Sequence, residues 1–303
     1  MENELVREIA KWKEKRDAVI LAHYYVDGAV QEIADYVGDS YYLAKIATEL
    51  KEQVIIFCGV SFMGESAKLL NPNKTVIMAD SSADCPMAHM IDKERIQEVR
   101  KEYSDVAVVC YVNSTAEIKA YSDICVTSSN AVKVVKAIGQ KNIFFIPDNN
   151  LGRYVSKMIP EKNFIFHDGF CHVHKSIHLD RVIEAKRVNP EAKVLAHPEC
   201  TKDVLDIADY IGSTSEIIAY ATQSKCEKFI ICTEMGVFFE LMRKNPNKKF
   251  YSVGHRQFCP NMKKVTLEKV LGALKEMGPE VLVDESISKK AVIPLQKMLE
   301  FAK

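Results

Sequence analysis

The chain has no surplus of charge: 41 Lys and Arg stand against 41 Asp and Glu in 303 residues. A dedicated nucleic-acid binder needs a basic face, and this balance gives no sign of one. Long apolar runs are also missing. Val54-Ile55-Ile56-Phe57-Cys58 is typical of the longest, far short of the roughly 20 residues that span a bilayer. The acidic start, Glu2-Asn3-Glu4-Leu5, lacks the apolar core of a signal peptide, so the cytoplasm is the expected location. No C-x-x-C pair occurs among the nine cysteines, which weakens a zinc-finger reading. An odd cysteine count without a secretion signal does not read as a disulfide framework. What is present is 48% apolar and 27% charged, the mix of a globular protein with ample surface to bury.

A threefold internal repeat organises the rest. Ile33-Ala34-Asp35-Tyr36-Val37-Gly38-Asp39-Ser40 returns as Ile207-Ala208-Asp209-Tyr210-Ile211-Gly212-Ser213-Thr214, with a weaker copy at Tyr121-Ser122-Asp123-Ile124-Cys125-Val126-Thr127-Ser128. The aspartates are 88 and 86 residues apart. Strand-like runs precede each copy, at 18–23, 106–111 and 193–197, and others follow at 54–57, 142–146 and 229–232. Helical stretches end near Asn71-Pro72, Ile159-Pro160 and Asn245-Pro246, and a further strand follows each. Each copy then reaches a cysteine in a polar loop: Cys85, Cys171 and Cys259. Short apolar runs alternating with helical patterns imply βαβ units with parallel sheets. The expected fold is therefore α/β: three pseudo-symmetric three-layer αβα domains with parallel sheets. The expected divisions are 1–104, 105–191 and 192–303, the last carrying a final strand at 281–284 and a C-terminal helix from about Ser286 to Phe301.

In parallel α/β sheets functional groups gather beyond the carboxyl ends of the strands. Read in register, the first strand ends carry His23 with Tyr25, Tyr111 with Asn113, and His197 with Glu199. Residues i and i+2 on a strand share a face, so each pair is expected to address one central cavity. The second strand ends carry Ser40, Ser128 and the pair Ser213-Thr214, each ahead of a helical pattern. A hydroxyl there is an N-cap, an anion site, or both. The fourth ends carry the three cysteines. They are either buried thiols sharing an inherited position or a soft-ligand site for zinc or an iron–sulfur cluster. Cys58, Cys110, Cys125, Cys226 and Cys232 fall in apolar strand-like runs and read as core. Beside Cys171, His174 is the best placed of three histidines for substrate contact, and His178 reads as a solvated helix position. A His/Glu pair suits acid–base work.

These residues resemble the quinolinate synthase family, the iron–sulfur enzymes of NAD biosynthesis. The resemblance covers essentially the whole chain. It is carried by Ala22-His23-Tyr24-Tyr25, Cys85-Pro86-Met87-Ala88, Tyr111-Val112-Asn113-Ser114, Thr127-Ser128-Ser129-Asn130, Pro147-Asp148-Asn149-Asn150, His197-Pro198-Glu199-Cys200, Gly212-Ser213-Thr214 and Cys259-Pro260-Asn261-Met262. It implies a 4Fe-4S cluster on Cys85, Cys171 and Cys259 with one iron open as a Lewis acid. The implied substrates are iminoaspartate and dihydroxyacetone phosphate, and another enzyme would supply the unstable imine. His23, Ser40, Tyr111, Asn113, Ser128, His174, His197, Glu199, Ser213 and Thr214 would bind substrate. Glu199 would be the main acid–base residue, with Tyr25 and His197 assisting. Two extra cysteines found before the third ligand in some relatives correspond to Val253 and Arg256 here, so a local disulfide is not implied.

Two other readings remain at this stage. One is a zinc-dependent lyase using His23 or His197 as ligands in place of the cysteines. The other is a non-catalytic iron–sulfur sensor, which would want a basic patch or a DNA-binding helix pair.

Overall fold

The computed structural model describes residues 2–254 and 257–302. Arg256 lies outside them. Twelve strands form three parallel four-stranded sheets. The first contains β1 (Ala18–His23), β2 (Tyr36–Gly38), β3 (Val54–Cys58) and β4 (Thr75–Met78), in the order β2-β1-β3-β4. The second repeats that order with β5 (Val106–Tyr111), β6 (Ile124–Val126), β7 (Asn142–Ile146) and β8 (Asn163–Phe166). The third does so with β9 (Lys193–Ala196), β10 (Tyr210–Ile211), β11 (Lys228–Cys232) and β12 (Lys249–Ser252). The α/β architecture with three similar sheets is the one the repeat predicts.

The central strands are β-branched and apolar because helices cover both their faces. Ile20, Leu21, Val108, Val109, Ile230 and Ile231 are all fully buried. The repeated aspartates have a scaffolding task. Asp35, Asp123 and Asp209 accept the backbone N–H of Ile20, Val108 and Val194 at 2.7–2.9 Å. Their own N–H groups return bonds to the carbonyls of the same three residues. Each aspartate thus ties the short second strand to the middle of the first.

A second threefold device sets the cysteine loops. The N–H groups of Ser61, Asn149 and Met235, just beyond the third strand of each sheet, donate to the carbonyls of Ala83, Gly169 and Gln257 at 2.7–2.9 Å. Those carbonyls lie two residues before Cys85, Cys171 and Cys259. Gly169 suits its place: a Cβ there would meet the Pro147 carbonyl oxygen at 2.4 Å.

The expected strand at 281–284 is a correction. The segment makes one antiparallel bridge, Ile77 to Glu280, with Val281 N–H donating to Val76 O at 2.8 Å. It cannot extend, because Asp284 turns to cap the last helix, Glu285–Phe301, through the N–H groups of Ser286 and Ile287. That helix follows the third sheet in sequence but packs chiefly on the helix Ala116–Ala120, on β6 and on the helix Ser61–Leu70. The helix Leu267–Glu276 likewise returns to the first unit, against β3 and the helix Glu2–Lys15. Arg16 fastens it by donating to the carbonyls of Leu274 and Lys275. The three units therefore close into a ring. Among the described residues no helix is long and apolar enough to cross a membrane.

Candidate active site

One pocket lies at the common ends of the sheets. His23, Tyr25, Ser40, Tyr111, Asn113, Ser128, His174, His197, Glu199, Thr214 and all three loop cysteines line it. Among the described residues no lysine or arginine does so. Hydroxyls, imidazoles and helix N-termini are the described lining groups that can receive an anion.

The first strand ends converge, but not by strand alternation. The chain has already turned after His23 and before Glu199. His23 Nδ1 accepts the N–H of Tyr25 at 3.1 Å, and His197 Nδ1 accepts that of Glu199 at 3.3 Å. The histidine ring closes each turn and points the i+2 side chain back over itself. With Nδ1 accepting, the ring proton is assigned to Nε2. In His197 that nitrogen faces Ser128 Oγ at 3.2 Å, so Ser128, His197 and Glu199 form a line. Burial lowers the His23 imidazole to about 3, and the nearby His197 adds to the effect. Burial lowers His197 as well, against the pull of Glu199.

Glu199 is 3% exposed and sits between two imidazoles. Its Oε2 is 3.0 Å from His174 Nδ1 and 3.2 Å from His197 Nδ1. The His174 approach is off-line, and Nδ1 makes no hydrogen bond. Burial alone would raise the Glu199 carboxyl, but the two histidines outweigh it and hold it below the ordinary carboxylate range. Tyr25 OH meets Thr214 Oγ1 and Thr233 Oγ1, each at 2.8 Å. Burial, reinforced by the Glu199 charge, drives the Tyr25 phenol well above its usual range, so it stays a proton donor. Tyr111 is held up in the same way. Asn113 Oδ1 is buried without a partner, an acceptor waiting for a donor.

The hydroxyls separate into two groups. Ser40 and Thr214 are the first residues of the helices Ser40–Ala47 and Thr214–Gln223, and the caps belong to Asp39 and Ser213. Ser213 forms a capping box with Glu216 and is not among the lining residues. Ser128 belongs to a turn ahead of the helix Ala131–Ala137, whose N-cap is Asn130. His178, as expected, is exposed, at the start of the helix Leu179–Val188.

The cysteines share one local design. Backbone N–H groups of Met87 and Ala88 face the Cys85 sulfur, that of His174 faces Cys171, and those of Asn261 and Met262 face Cys259. Burial raises all three thiols, Cys85 to about 12. A thiolate here needs a cation inside the pocket. The three sulfurs do not share the 4.8 Å mutual spacing that Cys171, His174 and Glu199 show, so they spread wider than donors around one ion. Three soft donors, N–H groups behind each sulfur and a wide spread suit a multinuclear iron–sulfur group. The remaining cysteines stay out: Cys58, Cys110, Cys125 and Cys232 lie in strands, Cys200 is buried against β9 and β11, and Cys226, expected in the core, is instead half-buried in the loop before β11.

Sequence reasoning missed three groups. Thr233 bonds both Tyr25 and His174, the latter at 2.9 Å. Asp148 and Glu234, fully buried, accept the backbone N–H of Cys171 and Cys259 at 3.1 and 3.0 Å. Burial raises both carboxyls. In the first copy the equivalent residue is Val60, and Asp84, next to the cysteine, takes the Cys85 N–H at 2.8 Å. The signal was available: residues 148 and 234 occupy the same register just past the third strands.

Comparison with known proteins supplies the context for this geometry. The family described as Quinolinate synthetase A protein matches residues 7–300. A quinolinate synthase of Fusobacterium nucleatum is 56% identical over 294 residues, covering 97% of this chain and 98% of that protein. One of Clostridioides difficile is 49% identical over 302 residues, covering 100% and 99%. One of Caldicellulosiruptor saccharolyticus is 48% identical over 296 residues, 98% of each.

Proposed function

The chain belongs to the quinolinate synthetase A family, and from that premise we propose that it joins iminoaspartate to dihydroxyacetone phosphate, yielding quinolinate, phosphate and water. The observation that carries the reading is the meeting of three loop thiols with a His-flanked buried carboxylate in one pocket. Cys85, Cys171 and Cys259 would hold a 4Fe-4S cluster. Bound there, the cluster supplies one iron without a protein ligand, a Lewis acid for removing a hydroxyl.

The chain's own residues bind and move protons. Both substrates are anions. Ser40 and Thr214, at the first turns of their helices, offer hydroxyls beside unpaired backbone N–H groups for phosphate and carboxylate oxygens. Ser213 contributes by capping the helix that presents Thr214. His23, held neutral, offers a hydrogen bond from Nε2. Asn113 Oδ1 takes a donor from the amine or a hydroxyl, and Tyr111 closes the opposite wall. Glu199 accepts protons as the chain of carbons isomerises, with His174 and His197 stabilising its charge. His197 Nε2–H fixes the Ser128 hydroxyl by donating to it, and Tyr25 delivers a proton to a departing oxygen. The nine free thiols fit a reducing compartment, and we place the enzyme in the cytoplasm on that ground. The divisions 1–104, 105–191 and 192–303 remain our proposal for the domains.

The test is anaerobic purification followed by iron, sulfide and quinolinate assays on one sample. Activity that scales with iron supports the reading. Full activity in iron-free protein overturns it.

A further inference from the structure

Three donors in the pocket face one another. Cys171 Sγ, a His174 ring nitrogen and a Glu199 carboxylate oxygen all lie within 4.8 Å of one another. Among the described residues this is the one group of His, Cys, Asp and Glu donors gathered so closely. His174 is 1% exposed and Glu199 3%. His174 Nε2 is engaged by Thr233 Oγ1 at 2.9 Å, which leaves Nδ1 as the free nitrogen. That Nδ1 and Glu199 Oε1 are both buried without a hydrogen bond.

His174 Nδ1 stands 3.0 Å from Glu199 Oε2, with both side chains buried. A buried carboxylate beside an imidazole nitrogen and a thiol is an arrangement that a bound cation would stabilise. Donors around a tetrahedral zinc stand about 3.3–3.8 Å apart, given bonds of roughly 2.0–2.3 Å. The His174–Glu199 pair already stands at 3.0 Å, and no pair exceeds that geometry by more than about 1 Å. A sulfur, an imidazole and a carboxylate together suit a borderline cation such as Zn²⁺ better than Mg²⁺ or Ca²⁺. Thr233 plays the part of the outer partner that fixes a ligating ring.

We infer that the chain carries a mononuclear site for Zn²⁺ built from Cys171, His174 and Glu199, and that its occupancy excludes the iron–sulfur cluster because Cys171 serves both. The inference leans on the proposed function only in this shared cysteine. Cys85 and Cys259 are outside the site. A bound zinc would also take Glu199 away from acid–base work, so zinc holds the chain in an inactive, cluster-free state.

The experiment uses the full chain, freed of iron by a chelator, and titrates it with Co²⁺ as a spectroscopic probe and then with Zn²⁺. One equivalent of Co²⁺ should bind with a thiolate charge-transfer band and tetrahedral d–d bands. Cys85→Ser and Cys259→Ser should bind within about 3-fold of the parent, whereas Cys171→Ser and His174→Ala should lose 100-fold or more. Thr233→Val should lose about 10–100-fold, the usual effect of an outer partner. Equal affinity in His174→Ala, or loss of binding in Cys85→Ser, overturns the site. A second measurement does not depend on how the variants fold. One equivalent of Zn²⁺ should block cluster reconstitution in the unaltered chain, and a chelator should restore it. Unhindered reconstitution with zinc bound overturns the exclusion. If no cluster assembles even without zinc, the proposed function fails, while the Co²⁺ spectra still decide the zinc site.

Discussion

Asp35, Asp123 and Asp209 occupy equivalent places in three sheets and make the same backbone contacts. His23, Tyr111 and His197 are equally equivalent, at the ends of the first strands, yet each has a different setting. His23 turns its ring onto Tyr25, Tyr111 stands beside an unpartnered Asn113, and His197 joins Ser128 to Glu199. The scaffold repeats and the chemistry does not. A closed ring needs three similar units to pack, whereas an asymmetric substrate pair needs three different walls. The cysteine loops fall between: the sulfurs and their N–H groups repeat, but the carboxylates behind them do not.

The largest effect should come from the repeated element that would hold the proposed cluster. Cys85→Ser, Cys171→Ser and Cys259→Ser should each abolish cluster incorporation, read as iron and sulfide after anaerobic purification, since a hydroxyl is too hard a donor. Cys200→Ser should retain the iron. Next comes the unique wall. Glu199→Gln should assemble its cluster and lose about 10²–10⁴-fold in turnover per iron, the usual contribution of a positioned acid–base group. Near-native turnover would leave Tyr25 or a histidine as the base.

The loops sharpen the contrast. Asp148→Ala strands two buried N–H groups, those of Leu151 and Cys171. At about 1–3 kcal/mol for each, urea unfolding should report roughly 2–6 kcal/mol lost, with reduced iron occupancy. Asp84→Ala, half-exposed, should cost less than about 2 kcal/mol, since water can replace the carboxylate. Equal costs would mean that burial does not distinguish the loops.

A pH effect follows from His23. Its folded value of about 3 lies below the ordinary 6.5, so the unfolded chain takes up a proton first as pH falls. Stability is therefore lost progressively below about pH 6.5, reaching about 2 kcal/mol at pH 5. The cluster-free chain should show at least that slope between pH 7 and 5, and His23→Gln should show a shallower one, with the share from His197 remaining. The repeated aspartates should leave the pocket untouched. Asp35→Ala, Asp123→Ala and Asp209→Ala should each cost about 1–3 kcal/mol, alike within error, with iron content unchanged. A large difference among the three would break the symmetry of the scaffold.

The repeat was legible because strand periodicity and a charged marker recur at nearly constant spacing. The three cysteines were legible because they end a strand in every copy. Other features depend on contacts that no spacing encodes. His23 and His197 aim their neighbours through a ring-closed turn, although strand alternation predicts the same convergence for the wrong reason. Ser213 and Thr214 look interchangeable in sequence, and only the capping box with Glu216 shows which one is committed to the helix. Asp148 and Glu234 have a hydrophobic counterpart in Val60, so the register hides them unless the third strand end is read too. The segment at 281–284 has the composition of a strand, but Asp284 is claimed by the next helix.

The closure of the ring by Leu267–Glu276 against the helix Glu2–Lys15 has a consequence in time. Arg16 is made early, and its partners Leu274 and Lys275 are separated from it by 258 and 259 residues. Cys259 also emerges late. A nascent chain on the ribosome can fold its first two sheets, as domains do, but it has only two of the three thiols and an unclosed wall. Loading of the proposed cluster must therefore wait until Cys259 and the closing helix Leu267–Glu276 are in place. A chain truncated before Leu267 should fold in part and remain colourless.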